Sequence, residues 1–200
     1  GVSVFKSLED NYDFIVLEIS SYQLEYVKKL KSYISVILNL STDHLERHET
    51  LKKYFSTKLK IFDNAKYKII NNNLEYSKKD ITFDVKNNSI YVNNSSIENL
   101  TFKNYNFISY KDKKYKINGR HEAYNLSACI AVLSILGLSL DEIIHGFSKR
   151  SHLSHRLERF CTYDGVTYIN DSKSTNLDST FNALESVGEN IVLIMGGDNK

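Results

Sequence analysis

The chain has 200 residues, 42% hydrophobic and 25% charged, with a net charge of +2, enough for one large or two small domains around an apolar core, so disorder is excluded as the default state. The near-neutral balance argues against a nucleic-acid partner despite a Lys- and Asn-rich middle. A membrane span is excluded because the longest apolar stretch, Ala128 to Leu138, is shorter than the ~20 residues such a helix needs.

The opening Gly1-Val2-Ser3-Val4 carries no Met and no secretion leader, and resembles a cut. From there to about Asn71 strand and helix patterns alternate. Phe14 to Ser20 reads as extended, Gln23 to Leu30 as helical, Tyr33 to Leu40 as extended, Glu49 to Phe62 as helical and Tyr67 to Asn71 as extended. Such alternation predicts βαβ units around a parallel sheet. Between Asn72 and Asn118 short alternating segments, such as Ser89 to Val92 and Tyr115 to Ile117, predict small antiparallel strands joined by turns. Helical periodicity returns from His121 to Leu136, where Leu126, Ile130 and Leu133 share a face. Gly137 stops it before a shorter helix from Asp141 to Phe147. A domain boundary falls near Lys149 to Ser154. Beyond it, Val166 to Asn170 and Ile191 to Met195 read as buried strands flanking a helix from Leu177 to Leu184. Cys129 and Cys161 lack metal-like spacing and read as inert thiols of a reducing, cytoplasmic setting.

In an open α/β sheet, ligands bind outside the carboxyl ends of the strands. Two such ends carry reactive groups here. Glu18 closes the first apolar run, and His44 lies in the polar segment after the second; together they suggest a hard-cation site, or they satisfy only backbone and solvent. Lys58 shares a 4-3-4 stripe with Leu51, Phe55 and Phe62. An inward lysine either snorkels to water or is held with a depressed pKa that makes its amine nucleophilic. Ser20 and Gln23 suit a helix cap as well as a ligand contact. His121 and Asn125 lie one turn apart at a polar helix entrance. His152 and His155, without further Cys or His nearby, make a poor zinc site. Arg156 suits phosphate and ribose oxygens, or a salt bridge to Glu158. The run Asn170 to Asn176 follows a strand and precedes a helix, so Lys173 could meet an anion there, or the run is only a capped turn.

Five segments, in order, carry a resemblance: Glu18-Ile-Ser-Ser-Tyr-Gln-Leu-Glu25, Asn39-Leu-Ser-Thr-Asp-His-Leu-Glu-Arg-His48, Thr57-Lys58-Leu-Lys-Ile-Phe62, Asn170-Asp-Ser-Lys-Ser-Thr-Asn176 and Gly196-Gly-Asp-Asn-Lys200. They resemble the successive motifs of the Mur ligases, with the match weakest between about Lys66 and Asn118. The resemblance implies an α/β fold: a parallel-sheet, P-loop NTPase-like central ATP-binding domain over 1–150 with a small antiparallel β segment, then the start of a Rossmann-like C-terminal domain over 151–200. The wording Ser20-Ser-Tyr-Gln-Leu-Glu25 is closest to the branch that adds D-glutamate to UDP-N-acetylmuramoyl-L-alanine. That reaction is ATP-driven amide formation through an acyl phosphate, in the cytoplasm, by a protein expected to be monomeric.

By the same resemblance, Glu18 and His44 hold the magnesium that bridges to ATP, and Lys58 becomes carbamylated and helps to position that ion. Ser20 and Gln23 meet the muramoyl-peptide substrate, Asn125 the adenine, Arg156 the phosphate and ribose at the hinge, and Asp171 the ribose. Lys173 and Thr175 lie near the acyl phosphate and incoming amino acid, and Lys200 holds the D-glutamate carboxylate. Catalysis is expected to rest on Lys58, His44 and Lys173. Tyr22 and Ser3 are mild departures, where relatives usually carry Phe and Pro. No Gly-x-x-x-x-Gly-Lys-Ser/Thr loop occurs in the sequence; the family places it shortly before the position of Gly1, so these residues alone are expected to be inactive. Two rival readings are another ligase of the superfamily, such as the one adding the third peptide residue or a folylpolyglutamate synthase, and a non-catalytic nucleotide-binding module.

Overall fold

The computed structural model describes residues 11–103, 107–151 and 153–197. Seven strands form one sheet in chain order: β1 (Ser32–Ile37), β2 (Ala65–Asn71), β3 (Ile81–Lys86), β4 (Ser89–Val92), β5 (Ser95–Lys103), β6 (Phe107–Tyr110) and β7 (Lys113–Lys116). β1, β2 and β3 run parallel, and β3 to β7 are antiparallel. The antiparallel strands therefore extend the parallel sheet instead of forming a separate small unit. Turn chemistry explains the switch. Lys86 pairs with Ser89 across Asn87-Asn88, and Val92 pairs with Ser95 across Asn93-Asn94; all four asparagines have positive φ. Two successive left-handed residues make the hairpin turn whose twist suits antiparallel strands, and Asn tolerates that region better than other non-Gly residues.

Side chains alternate across β2, so each face meets a different layer. Ile69 packs with Phe83 and with Ala128 and Ala131 of helix α4 (Arg120–Ile135), whereas Ile70 packs with Ile37 and Phe62 on the opposite face. Both isoleucines are fully buried, as expected for a strand covered on two sides. Small residues let α4 approach closely. Ser127, also fully buried, donates its hydroxyl to the Asp84 and Tyr91 carbonyls of β3 and β4. Leu126 and Ile130 of α4, with Ile143 and Ile144 of α5 (Leu140–Ser148), cover the antiparallel half of the sheet.

Three short helices fill the space around the β1–β2 crossover: α1 (Ser21–Tyr26), α2 (Leu45–His48) and α3 (Leu51–Leu59), the last running into a 3₁₀ turn over Lys60–Phe62. After α5 come a separate hairpin, β8 (Glu158–Tyr163) with β9 (Val166–Asn170), and helix α6 (Leu177–Val187). No helix among the described residues is long and apolar enough to cross a membrane.

Three expectations need correction. Phe14 to Ser20 joins no strand, and Val16 is 96% exposed, because an apolar run becomes a strand only when a neighbour pairs its backbone and none of the described residues does so. Ile191 to Met195 is likewise unpaired and exposed, and β9 pairs antiparallel with β8, with Val166 exposed. The buried stripe of α3 is also rotated from the predicted one. Thr50 caps the helix by accepting the Lys53 N–H, Tyr54 and Thr57 point inward, and Leu51 is exposed, which leaves Lys58 half-buried at the edge of the inward face.

Candidate active site at the carboxyl end of the first parallel strand

β1 ends at Ile37, and the loop that follows delivers Asp43 and His44 to the rim of the sheet. The rim is tied down from below, where Asn71 at the end of β2 donates its side-chain amide to the Leu38 carbonyl at 3.2 Å. His44 adopts a left-handed conformation with φ 54° and makes no side-chain cap for α2. A non-Gly residue there costs of the order of 1 kcal/mol. Such strain persists where surrounding structure imposes it, and it clusters at ligand sites. Beside it, Asp43 Oδ1 accepts the His44 N–H at 2.9 Å.

The imidazole of His44 sits among polar groups. Its Nδ1 lies 3.4 Å from the Tyr22 hydroxyl and 3.6 Å from both Asp43 Oδ1 and Glu46 Oε1. The Tyr22 hydroxyl donates to Glu46 at 3.0 Å, which raises the tyrosine pKa, while Glu46 is held below the usual carboxylate range by its own backbone N–H and by Tyr22. The two helices beneath are locked together: fully buried His48 meets Ser21 Oγ through Nε2 at 2.9 Å, and Arg47 donates to Glu25 through Nε and Nη2 at 3.2 and 2.8 Å. His48 Nδ1 lies 3.3 Å from Glu25 Oε1 but without hydrogen-bond geometry.

Lys58 reaches this centre from α3. Its ammonium lies 5.7 Å from the centroid of the Tyr54 ring, a cation–π distance. Burial pushes its pKa down, and the carboxylates of Asp43 and Glu18 partly offset this by favouring the charged form. Lys58 is therefore neither free in solvent nor sealed in the core, and both carboxylates act on it. Glu18 itself is exposed. Ser20 and Gln23 form a complete capping box: Ser20 Oγ accepts the Gln23 N–H at 3.3 Å, and Gln23 Oε1 accepts the Ser20 N–H at 2.8 Å. Both side chains are exposed and bond to each other in serving the helix, while their neighbour Tyr22 is the one that meets His44.

A second group gathers where the hairpin meets α4. Asp171 accepts the Leu157 N–H at 2.9 Å and the Ser174 hydroxyl at 2.5 Å, which fixes the turn after β9. His121 lies within electrostatic reach of Asp171 and Arg156; burial, reinforced by Arg156, lowers its pKa, while Glu122 and Asp171 oppose the shift. Arg156, Lys173 and Thr175 are exposed, as is Asn125, one turn along α4 from His121. Glu158 takes the His155 N–H at 2.7 Å, and no salt bridge forms between it and Arg156. Lys200 and His152 lie outside the described residues.

The two groups touch. Asn176, the N-cap of α6, donates from Nδ2 to Asp43 Oδ2 at 3.3 Å. Sequence reasoning left Asp43 and Asn176 without roles, although both stand inside quoted motifs; the available signal was an acid beside His44 at a strand end. Among the described residues, no three His, Cys, Asp or Glu side chains are grouped closely enough to cage a metal ion.

Comparison with known families decides the kinship. The family model described as the Mur ligase middle domain matches residues 2–133. The chain belongs to the Mur ligase family. UDP-N-acetylmuramoylalanine--D-glutamate ligases from Buchnera aphidicola subsp. Baizongia pistaciae and Haemophilus ducreyi are 35% and 31% identical to it, with 100% of the chain and 47% of each relative covered. The chain thus spans about half the length of the curated relatives it matches. Among solved Mur ligase structures, UDP-N-acetylmuramate-alanine ligase MurC from Thermotoga maritima superposes with a TM-score of 0.60 at 21% identity, over 84% of the chain and 40% of that structure. MurF from Acinetobacter baumannii gives 0.58 at 16%, over 81% and 38%. At these identities they establish the shared α/β fold, and the Mur ligase middle-domain match covers Glu18, Asp43, His44 and Lys58 but not the Asp171 to Asn176 group.

Proposed function

We propose that this chain is the central portion of an ATP-dependent ligase of peptidoglycan synthesis that joins D-glutamate to UDP-N-acetylmuramoyl-L-alanine, with 1–150 as its ATP-binding domain and 151–200 as the start of its C-terminal domain. The relatives named above support the substrate pair. The observation that carries the reading is the convergence at one strand end: half-buried Lys58 under the charges of Asp43 and Glu18, beside a His44 held in a left-handed conformation.

The donor set fits magnesium delivered with a nucleotide better than a resident cage. Magnesium uses one or two carboxylates plus phosphate oxygens and keeps several waters. Glu18 supplies an exposed carboxylate, and no hydrogen bond among the described residues occupies His44 Nε2. When bound, magnesium ATP supplies the transferable phosphoryl group. The work left to the chain is positioning and charge compensation, because a carboxylate must approach a triphosphate. Glu18 and His44 would hold the ion. The lowered pKa of Lys58 enlarges its neutral fraction, the form in which Nζ adds to carbon dioxide to give a carbamate and release one proton. Asn125 would meet the adenine, Asp171 and Arg156 the ribose and phosphate, and Lys173, Thr175 and Lys200 the acyl phosphate and incoming amino acid. Ser20 and Gln23 would border the muramoyl-peptide carboxylate. The reading implies cytoplasmic substrates and a monomer.

The test is phosphate release by the whole chain its gene encodes, given MgATP, UDP-N-acetylmuramoyl-L-alanine and a panel of amino acids. D-glutamate should be turned over at least tenfold better than L-glutamate, L-lysine or L-alanine. Equal or better turnover of another amino acid would transfer the chain to a different branch of the superfamily.

A further inference from the structure

The Asn176–Asp43 contact joins groups 133 positions apart, and each partner divides its side chain between two tasks. Asn176 Oδ1 accepts the Ser179 N–H at 2.9 Å, capping α6, while Nδ2 donates to Asp43. Asp43 Oδ1 accepts the His44 N–H, while Oδ2 accepts from Asn176. Its side chain is only 15% exposed, so little water competes for the carboxylate. The charge of Asp43 also acts on Lys58. A single side chain thus connects the first turn of α6, and the Asp171 to Thr175 loop preceding it, to His44 and Lys58.

We infer that Asn176 is a positioning residue: through Asp43 it sets the placement of His44 relative to the loop bearing Lys173 and Thr175. This rests on the ligase reading for its consequence in turnover, but the geometry itself stands apart from that reading. A cap needs only an acceptor at this position, and Asp, Ser and Asn are nearly equivalent there. The bridge needs a donor long enough to reach Asp43. Asn176→Asp keeps the cap and sets two carboxylates against each other; Asn176→Ser keeps the cap and is too short.

The experiment uses the whole chain and reads kcat, KM, thermal stability and exchange of the His44 amide by NMR. Both variants should lower kcat about tenfold with little change in KM for ATP and speed His44 amide exchange severalfold; Asn176→Ser should leave the melting temperature near wild type, whereas Asn176→Asp should lower it through the carboxylate repulsion. The double variant Asn176→Asp with Asp43→Asn, which reverses the donor and acceptor, should exceed either single variant in kcat and slow the exchange again. Wild-type kcat and wild-type His44 exchange in Asn176→Asp would overturn the inference and leave Asn176 a helix cap. If the wild-type chain shows no ligase activity, the functional reading fails, and the His44 exchange data alone decide the inference.

Discussion

Ser21→Ala is the most informative single change beneath the site. The Ser21 hydroxyl is the only hydrogen-bond partner of the His48 ring among the described residues, and both residues are buried, His48 completely. Removing it forfeits one bond and leaves Nε2 unsatisfied without water, a cost of about 2 kcal/mol. With a urea m-value of about 2 kcal/mol/M, the unfolding midpoint should fall by about 1 M with unchanged slope. Adding His48→Leu removes the orphaned polar ring as well, and since deleting both partners is nearly neutral, the double variant should recover most of that loss. A Ser21→Ala midpoint within about 0.2 M of wild type, at the m-value just assumed, would refute the claim that this bond locks α1 to α2. The consequence reaches the site, because the His48 ring lies 5.9 Å from Tyr22 and 5.2 Å from Tyr54, which flank His44 and Lys58.

Phe62→Ala should cost about 3–5 kcal/mol in urea unfolding, because the ring is 1% exposed and wedged among Ile37, Ile70 and Tyr76 directly after the helix bearing Lys58; a loss below about 1 kcal/mol would mean the site collapses without a cavity. Lys58 should titrate below the ordinary lysine range when its side-chain carbon signals are followed by NMR. Burial lowers its folded pKa beneath the unfolded value, so the unfolded chain binds more protons between the two, and stability should rise with pH through that window. A Lys58 that titrates in the ordinary lysine range would contradict this.

Much of the fold follows from local pattern. β1 and β2 are apolar runs bounded by polar turns, the Asn pairs at 87–88 and 93–94 mark hairpins through their tolerance of positive φ, and Ser139 with Glu142 starts α5 as a capping box. Two of the errors share one cause. Phe14 to Ser20 and Ile191 to Met195 have the composition of strands, but pairing depends on a neighbouring backbone that composition does not encode. The stripe assigned to Lys58 was displaced for a different reason: the face that α3 buries, with Tyr54 and Thr57 inward, is chosen by the elements packed against it and not by the helical period alone. At the site, His44 follows the end of β1 as the sequence suggested, whereas Glu18 was placed by a strand that does not form and Lys58 by a stripe that is rotated. Asp43 and Asn176 were not legible, because their meeting is a product of the tertiary fold. Ser20 and Gln23 were legible as a cap, and the cap is what forms.

The central claim is that Glu18, His44 and Lys58 surround one divalent cation. Manganese substituted for magnesium in the whole chain with ATP broadens NMR signals steeply with proximity, so a titration with side-chain-labelled Glu, His and Lys reads the claim directly. The account predicts that residues 18, 44 and 58 broaden first and together, ahead of His121, His155 and Lys173. Early broadening centred elsewhere, with these three sharp, would contradict it.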